Sequence, residues 1–264
     1  MLTELDLQGC AASPCDVDLV AGSEVPLARV LGWTGSAHPV QPIAAEWCAP
    51  LVWSAAWSDA WQEHGGRAVH AWHHVVFHRE LLFPLHCRLS AEVVAQRPTR
   101  AGALTVVRYA AVAQDGPVWT THAGVLWRGA TTQSRGALSE PDLDDPGPST
   151  LAVQVPVAAD FAHRYSTASG IWNPVHTDPD AARAAGLDAP ILHGSATLGL
   201  ALTALHEQVG ALRITELSAR FLAPVLMPDV LTVAISGSTP LLCAEVTRAD
   251  SVPVVRLQAR YSTR

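Results

Sequence analysis

Hydrophobic and polar positions alternate along this 264-residue chain in two blocks of similar outline. In the first block, β-branched or aromatic residues take turns with polar ones from Ala71 to Phe77, Cys87 to Ala95, Leu104 to Val112 and Val118 to Trp127. Pro84, Gly102 and Gly116 break the runs. A period of two sends alternate side chains to opposite faces, so this spacing predicts antiparallel strands with one buried face. In the second block the same pattern predicts strands at Leu151–Val157, Ile214–Phe221, Val230–Ser236, Leu241–Arg248 and Val254–Tyr261.

Helical spacing appears between the strands. Trp53, Trp57 and Trp61 recur every four residues, widened by Leu51, Val52 and Ala56, and predict a helix over Ala45–Glu63 that Gly65-Gly66 ends. A face buried against a sheet accounts for that tryptophan stripe better than a ligand wall does. Shorter helices are expected at Ala158–Ser169 and Asp178–Ala185, and a long apolar one at His193–Val209 closed by Gly210. The short apolar run Leu27–Leu31, interrupted by Arg29, reads as a short strand before an irregular loop.

Residues 129–150 are polar, rich in Pro, Gly, Ser and Asp, and without periodicity, and read as a linker. The expected division is an N-terminal domain over 1–128, the linker 129–150 and a C-terminal domain over 151–264. Leu81-Leu82-Phe83-Pro84-Leu85 before one strand echoes Phe221-Leu222-Ala223-Pro224-Val225 before another, which suggests a duplicated unit. A long apolar helix followed by antiparallel strands is the outline of a hotdog domain, so the expected class is α+β, a double hotdog.

Composition narrows the chemistry. A formal net charge of −7 and scattered arginines argue against nucleic-acid binding. All 17 basic residues are Arg, which excludes a catalytic lysine. Five cysteines, at 10, 15, 48, 87 and 243, form no C-x-x-C and read as buried thiols of a reducing, cytoplasmic protein. No apolar run reaches the ~18–20 residues that span a bilayer, and the acidic N-terminus is unlike a signal peptide, so no membrane association is expected. His73-His74 and His78 lie on a strand-like run without a completing ligand set, so no metal is expected. Phosphate-loop and dinucleotide patterns are missing, and the expected cofactor is none.

The densest chemistry lies between Arg164 and Leu200. Ser169-Gly170-Ile171-Trp172-Asn173-Pro174-Val175-His176, Asp178-Pro179, Ala185-Gly186-Leu187 and Pro190-Ile191-Leu192-His193-Gly194 set histidines among turn-forming residues. A histidine suits proton transfer near neutral pH, and Gly194 at a helix start offers a backbone N–H and the positive dipole end to a developing oxyanion. Asn173 holds a turn or orients a water, and Pro174 stiffens the loop.

These residues resemble the signature of the MaoC-like, or type 2, enoyl-CoA hydratases and dehydratases, S-G-D-x-N-P-[LIV]-H-x-D-P followed by A-G-[FL] and P-[IV]-[LIV]-H-G. The resemblance implies a double hotdog fold and addition or removal of water at a 3-hydroxyacyl or 2-enoyl thioester, carried by coenzyme A or an acyl carrier protein. It places His176, Asn173 and Gly194 in the catalytic set, and Gly170, Ile171, Trp172, His193 and Ser195 against the substrate. The motif's acid falls on Ile171, which neither orients water nor exchanges a proton.

Three repairs stay open at this level: another carboxylate such as Asp178 or Asp180, although these read as helix caps; a group from the first half, among His38, His78, His86 and Glu80; or His176 acting alone. His193 either bonds a backbone carbonyl or faces substrate, and Trp172 reads as core in preference to a channel wall. A subunit that binds thioesters without turnover is the rival reading. Two hotdogs in one chain imitate a dimer of single hotdogs, with a homodimer of the whole chain left open.

Overall fold

The computed structural model describes residues 4–7, 10–20, 22, 25–33, 68–137, 140–209 and 213–262. The helix expected over 45–63, Cys48 and His38 lie outside the described residues.

The strands are β1 (Cys15–Leu19), β2 (Ala68–Phe77), β3 (Leu85–Thr99), β4 (Gly102–Ala113), β5 (Gly116–Arg128), β6 (Leu151–Val157), β7 (Ile214–Phe221), β8 (Asp229–Ser238), β9 (Leu241–Thr247) and β10 (Pro253–Tyr261). They form one antiparallel sheet in the order β1-β3-β4-β5-β2-β7-β10-β9-β8-β6. Outward from the β2–β7 seam, each side repeats the same strand connectivity. The match extends to single bonds: His78 N–H donates to Val118 O at 2.9 Å just past β2, and Leu222 N–H to Val254 O at 2.8 Å just past β7. At the seam Trp72 pairs with Arg220 and Val76 with Glu216, so His74 faces Ser218.

Alternation decides which face is buried. Along β3, Leu85, Cys87, Leu89, Ala91 and Val93 point inward while His86, Arg88 and Glu92 reach the surface or its margin. The inward rows of β5 and β10, Trp119, Ala123, Val125 and Trp127 with Val255, Leu257, Ala259 and Tyr261, join the same core. Beneath the second half runs α4 (Gly194–Val209), in contact with β8, β9 and β10. From Ser195 to Leu202 every residue of α4 is buried, which suits a helix enclosed on all sides. Shorter helices are α1 (Val25–Val30), α2 (Phe161–Ser169) and α3 (Pro179–Ala184), and α1 packs against α2.

Two readings from sequence are corrected here. The run Leu27–Leu31 belongs to α1 and its exit, whereas the short strand lies upstream at Cys15–Leu19. Only Leu27 of α1 is fully buried, so a run this short has no periodicity to separate helix from strand. Cys87 and Cys243 are buried, but Cys10 and Cys15 are half-exposed; all four are free thiols.

The polar stretch after β5 is pinned across the sheet. Leu5 N–H donates to Thr131 O, Arg135 exchanges two backbone bonds with Gln96, Arg220 holds Glu140 and the Pro141 carbonyl, and Asp144 N–H donates to Gln258 Oε1. Among the described residues, no helix is long and apolar enough to cross a membrane.

Candidate active site

The loop between α2 and α4 is built by local backbone chemistry. Gly170 ends α2 in the left-handed region, at φ 72°, with its N–H on Ser166 O at 2.9 Å; this is the helix stop that glycine makes without strain. Ile171 N–H then donates to Ser169 Oγ at 3.2 Å. Asn173 Oδ1 accepts from Val175 N–H at 3.2 Å and so caps a short 3-10 turn, Pro174–His176, that Pro174 opens. Asp178 caps α3 by accepting from Asp180 N–H at 2.8 Å, and Asp180 pairs with Arg183. Both carboxylates thus serve the helix start.

The opposite side is the segment leading into α4. Leu192 N–H donates to Val225 O at 2.8 Å, and the His193 carbonyl accepts from Thr197 N–H at 3.0 Å, which makes His193 the residue that precedes the first helical turn. Helix geometry leaves the N–H groups of Gly194 and Ser195 without intrahelical acceptors. A Cβ at Gly194 would stand 3.1 Å from Cδ1 and Cε1 of Phe221, so the close approach of β7 favours glycine there.

Between these two walls the histidines meet. The rings of His176 and His193 stack with centroids 3.7 Å apart and planes 25° from parallel. His176 Nδ1 lies 2.9 Å from the Ile191 carbonyl, and His193 Nε2 lies 3.3 Å from the Ile171 carbonyl. A carbonyl only accepts, so hydrogen-bond chemistry assigns the proton to Nδ1 of His176 and to Nε2 of His193. His176 Nε2 is then a lone pair available as a base. His193 Nδ1 is a second lone pair, buried and without a partner among the described residues. Ser166 Oγ also lies 3.2 Å from His193 Nε2.

Burial lowers the His176 pKa to about 4, opposed only in part by the Ile191 carbonyl. Burial and then the adjacent His176 lower His193 to about 3. Both rings are therefore neutral at pH 7. Among the described residues, no carboxylate contributes to either shift.

Two of the histidines considered as substitutes for the acid are engaged elsewhere. His78 bonds Thr120 Oγ1 at 2.9 Å and His86 pairs with Asp18 at 2.7 Å, both exposed. Trp172, expected in the core, is 57% exposed and meets the His163 ring edge-on at 5.7 Å. Ile171 is half-buried and Ser195 buried. The residues that the sequence did not single out are Ser166 and Tyr165 of α2, and the Ile191 carbonyl. Ser166 lies on the buried stripe of α2 with Phe161, Ala162 and Tyr165, and a hydroxyl on such a stripe is the signal that would have found it. About 9 Å along α4 from Gly194, by helical rise, a groove opens between Leu200 and Ala204 of α4, Val153 and Val155 of β6, and Leu31. Three or more His, Cys, Asp or Glu side chains placed to hold a metal do not occur among the described residues.

A family model described as MaoC like domain matches residues 144–247. The chain is 38% identical over 104 residues to 3-hydroxyacyl-thioester dehydratase Y of Mycobacterium tuberculosis, covering 38% of this chain and 35% of that protein. To enoyl-CoA hydratase ChsH3 of the same organism it is 31% identical over 192 residues, covering 63% of this chain and 65% of that one. It thus spans about a third of the first relative's length, and 21% of the peroxisomal enoyl-CoA hydratase 2 of Arabidopsis thaliana, to which it is 41% identical over 66 residues, 24% of this chain.

Among solved structures, a MaoC-like dehydratase from Phytophthora capsici superposes with a TM-score of 0.84 at 19% identity over 97% of both chains. A Mycobacterium tuberculosis protein described as a double hotdog superposes at 0.58 and 15% identity, over 95% of this chain and 96% of that one. Residues 144–247 thus match the MaoC like domain, and the chain as a whole shares the fold of a MaoC-like dehydratase and of a protein described as a double hotdog.

Proposed function

We propose that the protein adds water to, or removes it from, a 2-enoyl or 3-hydroxyacyl thioester of coenzyme A or a carrier protein, with His176 as its acid/base. One observation carries this reading: His176, whose Nδ1–H is held by the Ile191 carbonyl so that Nε2 keeps its lone pair, stacks on His193, the residue that precedes the N–H end of α4 at Gly194. In dehydration the C2–H bond breaks as Nε2 takes the proton, and charge on the thioester oxygen meets the N–H groups of Gly194 and Ser195. The C3–O bond then breaks, the hydroxyl leaves with that proton as water, and the imidazole returns to neutrality. Hydration runs the same steps backwards.

A base and an oxyanion site without a second acid also serve isomerisation, or intramolecular addition of a hydroxyl or amine. The same reading assigns an N-terminal hotdog to 1–128, a connecting segment to 129–150 and the site-bearing hotdog to 151–264. Relatives named for 3-hydroxyacyl-thioester dehydration and enoyl-CoA hydration support the substrate class.

The test is hydration of crotonyl-CoA and longer enoyl thioesters by wild type and His176→Ala. A fall of about a hundredfold or more is expected in the variant, and equal rates would sink the assignment. A second reading, a subunit that binds thioesters without turnover, is favoured by Ile171 alone. Turnover absent in wild type but gained in Ile171→Asp would establish it.

A further inference from the structure

Position 171 lacks an acid in its side chain but still acts through its main chain. The Ile171 carbonyl holds His193 Nε2 at 3.3 Å, and Ser166 Oγ approaches the same nitrogen at 3.2 Å. The ring so fixed lies against His176, and the Tyr165 ring packs on it at 4.9 Å. His176 is tied at its own Nδ1 edge by the Ile191 carbonyl. Among the described residues, every hydrogen bond on the pair therefore runs to a neutral group: a hydroxyl and two carbonyls. A carboxylate partner does two things for an imidazole, orienting it and stabilising its protonated form. The geometry here supplies the first and omits the second.

We infer that His193 is the positioning residue that stands in for the motif's acid, holding the His176 ring by face contact and hydrogen bonding the loop through the Ile171 carbonyl, so that His176 works as an uncharged base. The inference rests on the functional reading above. From α2 the pair faces Tyr165 and Ser166, from the loop the Ile171 carbonyl and from the 190–193 segment the Ile191 carbonyl. Two rings this close do not both become imidazolium cations, since like charges at contact distance exclude one another. The pair of neutral rings thus takes up a single further proton, and takes it only in acid, as the lowered pKa values also indicate.

The experiment follows the imidazole nitrogens of the full chain by NMR with isotope-labelled histidine across about pH 3 to 8, alongside kcat and KM for crotonyl-CoA hydration. In wild type, His176 is expected to carry its proton on Nδ1 and to titrate well below the ordinary histidine range. His193→Asn keeps a donor for the Ile171 carbonyl but removes the stacked ring. It is expected to raise the His176 titration by about one unit and to lower kcat about ten- to a hundredfold, with KM within about threefold. Ser166→Ala, which leaves both rings in place, is expected to move both readouts the same way by less. An unchanged His176 titration and an unchanged kcat in both variants overturn the inference. Should wild type turn over no thioester, the functional reading fails, and the NMR titration still decides the positioning role.

Discussion

His176 and His193 lie face to face, with ring centroids 3.7 Å apart, although they come from opposite sides of the site and each is anchored to a different backbone carbonyl. The contact joins the loop that follows α2 to the start of α4. Its consequences for pH dependence, loop stability and helix position are separately measurable.

Stability should fall in mild acid. A histidine whose folded pKa is depressed binds fewer protons folded than unfolded, so its contribution is fully present above about pH 6.5 and is lost as pH falls through the folded value near 4. Each unit of displacement is worth about 1.4 kcal/mol per histidine, so across that window the His176–His193 pair should cost at most on the order of 7 kcal/mol. His74 and His122, lowered by burial, add with the same sign, while exposed His86, raised by its bond to Asp18, opposes. Urea denaturation at pH 7, 5.5 and 4 checks the slope, which His176→Gln combined with His193→Gln should flatten.

Asn173 is placed as a cap. Removing its acceptor in Asn173→Ala should cost about 1 kcal/mol through the 3-10 turn that carries His176, and Asn173→Ser should restore most of it, because a hydroxyl also caps. Activity should track stability across the two variants. If Asn173→Ser recovers the stability but not kcat, the side-chain NH2 has a role with substrate.

At Gly194 crowding and catalysis can be separated. The added Cβ of Gly194→Ala meets Phe221 at 3.1 Å and pushes the start of α4 away from β7. Stability should change by only about 1 kcal/mol, since alanine favours the helix while the contact opposes it, whereas kcat should fall about tenfold through displaced N–H donors. Phe221→Leu in the same chain should recover part of kcat.

The strands were legible because their side chains alternate between a wet and a dry face: Leu151–Val157 and Ile214–Phe221 are expected and observed with the same limits. The apolar run after His193 likewise specified a helix enclosed on all sides, and Asp178-Pro179 specified a capped helix start. Leu27–Leu31 was not legible, since five residues do not reveal a period.

The sequence by itself determined the order of the elements from β2 onward, the duplicated outline and the cluster of histidines and turn-forming residues around Ile171. Tertiary structure alone decided that β2 pairs with β7, that Trp172 faces outward, and that His193 stacks on His176 with the Ile171 carbonyl holding it. The first group follows from local periodicity and residue type. The second depends on which backbone carbonyl meets which ring nitrogen across 15 and 22 residues of chain, and no local pattern encodes that meeting.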